Sequence, residues 1–599
     1  MGTRTKSTIP DRGHELSNYN RFPSIEISPE HSLWAGPEVW TRLASEARTR
    51  AGNDVPIVVI DAYPGTDVQS LTAEIQSALH EYQVIDIEGR VAHSSEHLEA
   101  MLSRTLTDDR VFGRMDHFDV QDFLDVDKLS ELRREVRATD VPTVLVGWGA
   151  ESVYPEAHVV AVAEVSRWEI QKRQRVGEPN WRAQNPNEDN LRKYKRGFFI
   201  EWRTADRHKR RLFDTVDFVL DVNRHQSAVM MTGVGFRATL HRVARQPFRL
   251  TPFFDPGVWG GQWMKQKLGL DPREPNYAWC FDCVPEENSL LFRSGEIIME
   301  VPAIDLVLAQ PKALLGAKTY ARFGAEFPIR FDFLDTMEGE NLSLQVHPST
   351  DYIRNTFGMA YTQDESYYIL DCDDDAVVYL GLKSPVDVQA VTTALVEAQQ
   401  GTAPFPAEEF INVLPVKRHD HYSIPAGTVH CSGANSMVLE ISATPFIFTF
   451  KLWDWGRVGL DGQPRPIHLD HGLKNIDWAR DTSWVHDHLA GGAELITETE
   501  GVREERTGLH ELEFIEVRRH WFDEVATHDT EGTVNVLNLV EGDEVEIVSP
   551  TDQFEPFLVH YAETFVIPAA VGPYVIRRTR NASSETFATV KAFVRGTKV

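Results

Sequence analysis

Cysteine is scarce, with four in 599 residues, too few for a disulfide scaffold and in keeping with a reducing compartment. Basic charge is short as well: 61 Lys and Arg face 90 Asp and Glu, a formal charge of −29 at neutral pH. Phosphate backbones are bound by net-positive surfaces, so this balance argues against a nucleic-acid partner. No apolar run approaches the roughly 20 residues of a membrane span, which argues against a membrane role. The first residues, MGTRTKSTIPDRGHELSNYN, lack the apolar core of a secretory signal. The absences together predict a cytoplasmic protein.

What is present is a globular composition, 42% hydrophobic and 25% charged, on a chain long enough for three to four domains. Residues 1–54 form a lead segment with one helical stretch, PEVWTRLASEA. From 55 to 245 buried strands such as VPIVVID, VPTVLVGWG and HVVAVAEV alternate with helical segments, which predicts an α/β domain around a parallel sheet. The texture changes after QPFRLTPFFDPGVWGGQW, and from about 320 short strands dominate a domain placed at 246–484, among them FPIRFDFLD, NLSLQVH, SYYILD and SMVLEIS, with one helical insert near 385–400. That texture predicts an all-β sandwich or barrel. Residues 485–599 are again strand-rich, and FVIPAAVG echoes YSIPAGTVH without the His, as a repeated β-module would. One basic run, Arg167 to Arg211, contains LRKYKR and RHKRR. Such runs are usually solvated helix faces; a phosphate-facing lid is the alternative.

Gln345 and His347 stand two apart in NLSLQVHP, so on a strand they share a face. Glu365 opens the next strand, ESYYIL, and His430 follows the turn in SIPAGTVHC. Two imidazoles, one carboxylate and one amide oxygen form a four-ligand set suited to Zn²⁺, with Fe²⁺, Mn²⁺ and Co²⁺ as alternatives. WCFDC places Cys280 and Cys283 at C-x-x-C spacing. There is no second such pair, so a buried structural pair is expected rather than a zinc or redox site.

The blocks PFFDPGVWGGQW, NLSLQVHP, ESYYILD, IPAGTVH with VLEI, and LWDWGRVGLDGQPRPIH follow one another in an order that resembles the type I (cupin) mannose-6-phosphate isomerases. The resemblance runs from about 246 to 480 and on toward the end of the chain. It implies a cupin fold, a double-stranded β-helix, with Gln345, His347, Glu365 and His430 as metal ligands. It also implies the interconversion of an aldose phosphate and a ketose phosphate by proton transfer between C2 and C1 through a cis-enediol. A sugar phosphate, mannose 6-phosphate first, is the expected partner. Two positions depart from the family. Gln363 stands where the family has a Lys two residues before the ligand Glu, and Lys451 aligns with its active-site Arg. The acid–base candidates are then Lys451, Glu440, Asp364 and His468, with Arg457 and Arg465 as candidate phosphate contacts. A metal-containing sugar sensor without catalysis is the alternative.

The amino-terminal α/β region resembles P-loop nucleoside kinases such as uridine kinase, in the order strand, Gly-containing loop, helix of VPIVVIDAYPGTDVQSLTAEI. After Gly65, however, Thr66 and Asp67 occupy the Lys and Ser/Thr positions, so the loop presents a carboxylate where a phosphate would lie. A degenerate kinase-like domain is expected. A bifunctional sugar kinase/isomerase is the alternative.

Overall fold

The computed structural model describes residues 18–596 except 445, 461, 463, 464, 491 and 509–512. Its first layer is a seven-stranded sheet. Five parallel strands run in the order Gln83–Asp86, Thr143–Gly147, Ile57–Ala62, Val159–Glu164, Phe218–Asp221, and antiparallel Val229–Thr232 and Trp34–Ala35 extend it. Every side chain of Ile57–Ala62 is buried. Burial on both faces explains the unbroken Ile-Val-Val-Ile run.

The lead segment divides between two neighbours. The helix Pro37–Ala51 sends Val39, Trp40 and Leu43 into the α/β core, whereas Ser24–Glu26 pairs in parallel with Ser289–Ser294.

Two β-modules follow. In the first, a six-stranded sheet runs His421–Ile424, Glu365–Cys372, Ser436–Ala443, Ile329–Asp335, Trp279–Cys283, Phe253–Asp255. A five-stranded sheet runs Ile411–Pro415, Val377–Leu382, His430–Ser432, Leu344–Val346, Phe450–Trp453. The predicted insert is the helix Val388–Gln399. The second module sets a six-stranded sheet beside a four-stranded one over Glu494–Val594. Among the described residues no helix is long and apolar enough to cross a membrane.

The basic run is only in part a solvated face: Lys172, Arg175, Arg182, Arg210 and Arg211 are exposed, and the rest turns inward. Arg167, Arg173, Lys193, Lys195, Arg196 and Lys209 are buried. Arg167 pairs with Asp206 at 2.5 Å and Arg196 with Glu201 at 2.6 Å. Lys193 Nζ donates to three backbone carbonyls, those of Gln174, Glu178 and Pro186. Lys209 Nζ lies 3.1 Å from Glu164 and 2.6 Å from Asp305, so it ties the α/β layer to the helix Ile304–Ala309. Charges this deep persist because each is ion-paired or, as for Lys193 and Lys195, held by backbone carbonyls. Interspersed with them, Phe198 and Phe199 pack edge-on against Phe446 and Phe448 of the first β-module. Cys280 and Cys283 lie on Trp279–Cys283, buried and free of any disulfide.

Candidate metal centre and cleft

Glu365 comes from the six-stranded sheet, and Gln345 and His430 come from the five-stranded sheet, where they are direct cross-strand partners. His347 lies one residue beyond the strand Leu344–Val346. The alternation of strand side chains turns Gln345 and His347 toward Glu365. His347 Nε2 is 3.0 Å from Glu365 Oε2, and His430 Nε2 is 2.7 Å from Glu365 Oε1. His347, Glu365 and His430 form the one His/Cys/Asp/Glu group with metal-ligand spacing among the described residues.

Three features fit this group to a cation. His430 Nδ1 lies 2.8 Å from the Thr428 carbonyl and His347 Nδ1 lies 3.4 Å from that of Phe448, which places the ring protons on Nδ1 and leaves both Nε2 lone pairs facing Glu365. His347 Nε2 and Glu365 Oε1 are buried without a partner in hydrogen-bond geometry, so these short contacts are a convergence of ligand atoms. The Gln345 amide lies 3.3 Å from His430 Nε2, and an amide flip would turn its oxygen toward the same point.

Beside this group opens a cleft of about 180 Å³ lined by Gln345, Gln363, Glu440, Lys451, Arg330 and Arg465, among others. Gln363 Nε2 donates to Glu365 Oε2 at 3.0 Å and to Glu440 Oε1 at 3.4 Å. Burial, then Asp332 and Glu365, pushes Glu440 well above the carboxylate range. Burial and the Arg465 guanidinium push the Lys451 ammonium down to about 7. His468, whose Nδ1 accepts the Lys451 backbone N–H at 3.2 Å, is pushed by burial and Lys451 to about 3 and stays neutral.

Two of the expected catalytic positions lie elsewhere. Asp364 is on the opposite face from Glu365, accepting the Ala426 N–H at 2.8 Å. Arg457 is held by Asp454 at 2.5 Å and the Asn341 carbonyl at 2.7 Å and does not line the cleft. Arg465 reaches the cleft but also binds Asp454, at 2.5 Å. Sequence reasoning passed over Arg330 and Asp332, which line the cleft from Ile329–Asp335. The signal was there: FPIRFDFLD sets opposite charges at i and i+2 of an apolar strand, hence on one face.

In the amino-terminal layer the loop after Ile57–Ala62 is filled by its own chain. Tyr63 OH donates to Asp206 at 3.0 Å, Lys209 Nζ covers the Tyr63 ring at 4.6 Å, and Arg173 Nη1 donates to the Gly65 carbonyl at 3.1 Å. Gly65 has φ 101°, and a Cβ there would meet Ile170 at 2.7 Å. Asp67 caps the helix Val68–Ala78 by accepting from Ser70 N at 2.9 Å.

Residues 39–245 match a family model described as a domain of unknown function, DUF8485. Probable mannose-6-phosphate isomerase GmuF of Bacillus subtilis (strain 168) is 25% identical over 232 residues, 38% of this chain and 68% of the relative. A mannose-6-phosphate isomerase of Streptococcus mutans is 25% identical over 230 residues, 38% of this chain and 67% of the relative. Part of the chain therefore has mannose-6-phosphate isomerase relatives. The crystal structure of the Bacillus subtilis mannose 6-phosphate isomerase superposes with a TM-score of 0.47 at 18% identity, covering 58% of this chain and 99% of that one.

Proposed function

We propose that the chain is a metal-dependent aldose–ketose isomerase acting on a hexose phosphate, with mannose 6-phosphate to fructose 6-phosphate as the leading reaction. The observation that carries this reading is the convergence of His347, Glu365 and His430 beside a cleft lined by Gln345, Glu440 and Lys451. His347, Glu365, His430 and the Gln345 amide oxygen would hold the cation. When bound, a divalent ion there supplies Lewis-acid stabilisation of a sugar oxygen; Zn²⁺ is the first choice for these donors.

The remaining work falls to the chain. A proton must leave one of two adjacent sugar carbons and return to the other, which needs a side chain within hydrogen-bond reach of both. Lys451 is the cross-strand partner of Gln345, and Glu440 is joined to Glu365 through Gln363, so both border the same small space. Lys451 is assigned the proton transfer, and Glu440 the role of holding a sugar hydroxyl or assisting the shuttle. The test is NMR of mannose 6-phosphate in D₂O with the metal-loaded full-length chain. Deuterium entering at C1 or C2 is expected. No exchange with any hexose phosphate would overturn the reading.

Residues 55–245 are read as a degenerate P-loop kinase-like domain with a structural role, ahead of a catalytic module over 246–484 and a second cupin-like module over 485–599, in a cytoplasmic protein. The loop filled by Tyr63 and Ile170 supports the loss of nucleotide binding. Micromolar ATP binding by the full-length chain would contradict it.

A further inference from the structure

Arg330 is a deeply buried cation of the cleft that its own chain leaves largely unsatisfied. It is 2% exposed. Nη2 reaches Asp332 at 3.3 Å and the guanidinium lies 4.5 Å from the centroid of Phe446, yet Nε and Nη1 have no protein acceptor. The other guanidiniums of this region differ, since Arg457 and Arg465 both engage Asp454. A buried charged donor without an acceptor is costly, and a fold keeps one where a ligand completes it.

Placement says which ligand. Arg330 is the cross-strand partner of Ser442, and Ser442 is the partner of Glu365. Residues directly opposite across a sheet share a face, so Arg330 and the metal-ligating carboxylate stand in one row, two strand spacings or about 9–10 Å apart along the backbone. An extended six-carbon sugar with its reacting end at the metal centre and an acidic group at its far end spans such a row. The Phe446 ring, 4.5 Å from the guanidinium carbon, covers one face of the guanidinium and also lines the cleft, and a planar fork of donors suits an oxyanion.

We propose that Arg330 binds the phosphate of the substrate through its guanidinium and so selects phosphorylated over neutral hexoses. This rests on the sugar-phosphate reading of the cleft. The test is calorimetric titration of the metal-loaded full-length chain, wild type, Arg330→Met and Arg330→Lys, with mannose 6-phosphate, mannose and inorganic phosphate. Metal content and melting temperature are measured on each variant. Arg330→Met is expected to weaken mannose 6-phosphate and inorganic phosphate by about 10- to 100-fold, the range of a lost charge-assisted contact, while mannose is unchanged. Arg330→Lys, which keeps the charge and loses the planar fork, falls between; if the Met variant does not fold, it carries the comparison. Equal affinity of wild type and folded variants for mannose 6-phosphate, or no phosphate binding by the wild type, would overturn the assignment. Turnover with Arg330-independent binding removes this assignment and leaves the isomerase; Arg330-dependent binding without hydrogen exchange at C1 or C2 keeps it and removes the isomerase.

Discussion

The centre around Glu365 and the loop at Tyr63–Asp67 both gather buried charged or polar groups at the end of a strand, and they resolve them in opposite ways. Around Glu365, each of two histidine Nε2 atoms lies within 3.0 Å of a carboxylate oxygen, with His347 Nε2 and Glu365 Oε1 outside hydrogen-bond geometry. Around Tyr63, Asp206 is met by Arg167 and Tyr63, Lys209 is met by Glu164 and Asp305, and Asp67 is spent on a helix cap. Opposite charges paired within the cluster mark one that holds the structure together, even where Glu164 and Asp305 keep a buried oxygen outside hydrogen-bond geometry; a carboxylate faced by two imidazoles at metal-ligand spacing marks one suited to a cation.

The contrast breaks first at the metal centre. Glu365→Gln or His430→Ala is expected to lose the cation and to lower isomerase activity by at least about 100-fold, since even outer partners of metal ligands cost 10- to 100-fold. Metal analysis and an isomerase assay read both effects. At the other pole, Lys209→Met strands Glu164 and Asp305 in the core, and breaking a buried pair in this way costs about 3–5 kcal/mol. Thermal or urea unfolding should show that loss while metal content in the folded protein stays at the wild-type level.

A third test tries to convert one region into the other. Restoring phosphate-loop chemistry with Thr66→Lys and Asp67→Ser should still give no measurable ATP binding, because Tyr63 and Ile170 fill the space a phosphate would need. Tight binding in that double variant would show the loop to be a latent site.

The smallest effect is one of pH. His208 Nε2 lies 2.9 Å from Asp61; burial works against its charge, but Asp61 outweighs burial and raises the imidazole above its ordinary value. A raised histidine stabilises the fold fully below its unfolded pKa, about 6.5, and that contribution is lost as pH rises through the folded value. Melting temperature should therefore fall as pH climbs above about 6.5, and fall less in His208→Gln. Equal slopes in the two proteins would remove this contribution.

The sequence pattern reached the strands and the shared face of Gln345 and His347 because both depend on period-2 alternation, visible in NLSLQVH and ESYYIL, while Glu365 and His430 were placed beside them by the resemblance. The same alternation, applied to the neighbouring residue, would have turned Asp364 away from Glu365, where the structure has it. Arg330 and Asp332 escaped notice because opposite charges within one strand read as a surface pattern until a facing sheet covers them. The basic run misled for a related reason: its lysines and arginines find partners far off in the chain, as Lys209 does at Asp305, and no local pattern encodes a partner 96 positions away. Arg457 sits in a loop, and loop positions carry no periodicity from which a direction could be read.

The central claim, that Glu365 and its two histidines form a metal site, is tested most directly by metal titration of the purified, chelator-treated full-length chain beside Glu365→Gln. The account predicts about one divalent ion bound per wild-type chain, Zn²⁺ foremost, and none bound tightly by the variant. A wild-type chain that takes up no Zn²⁺, Mn²⁺, Fe²⁺ or Co²⁺, or a variant that binds as well as the wild type, would contradict it.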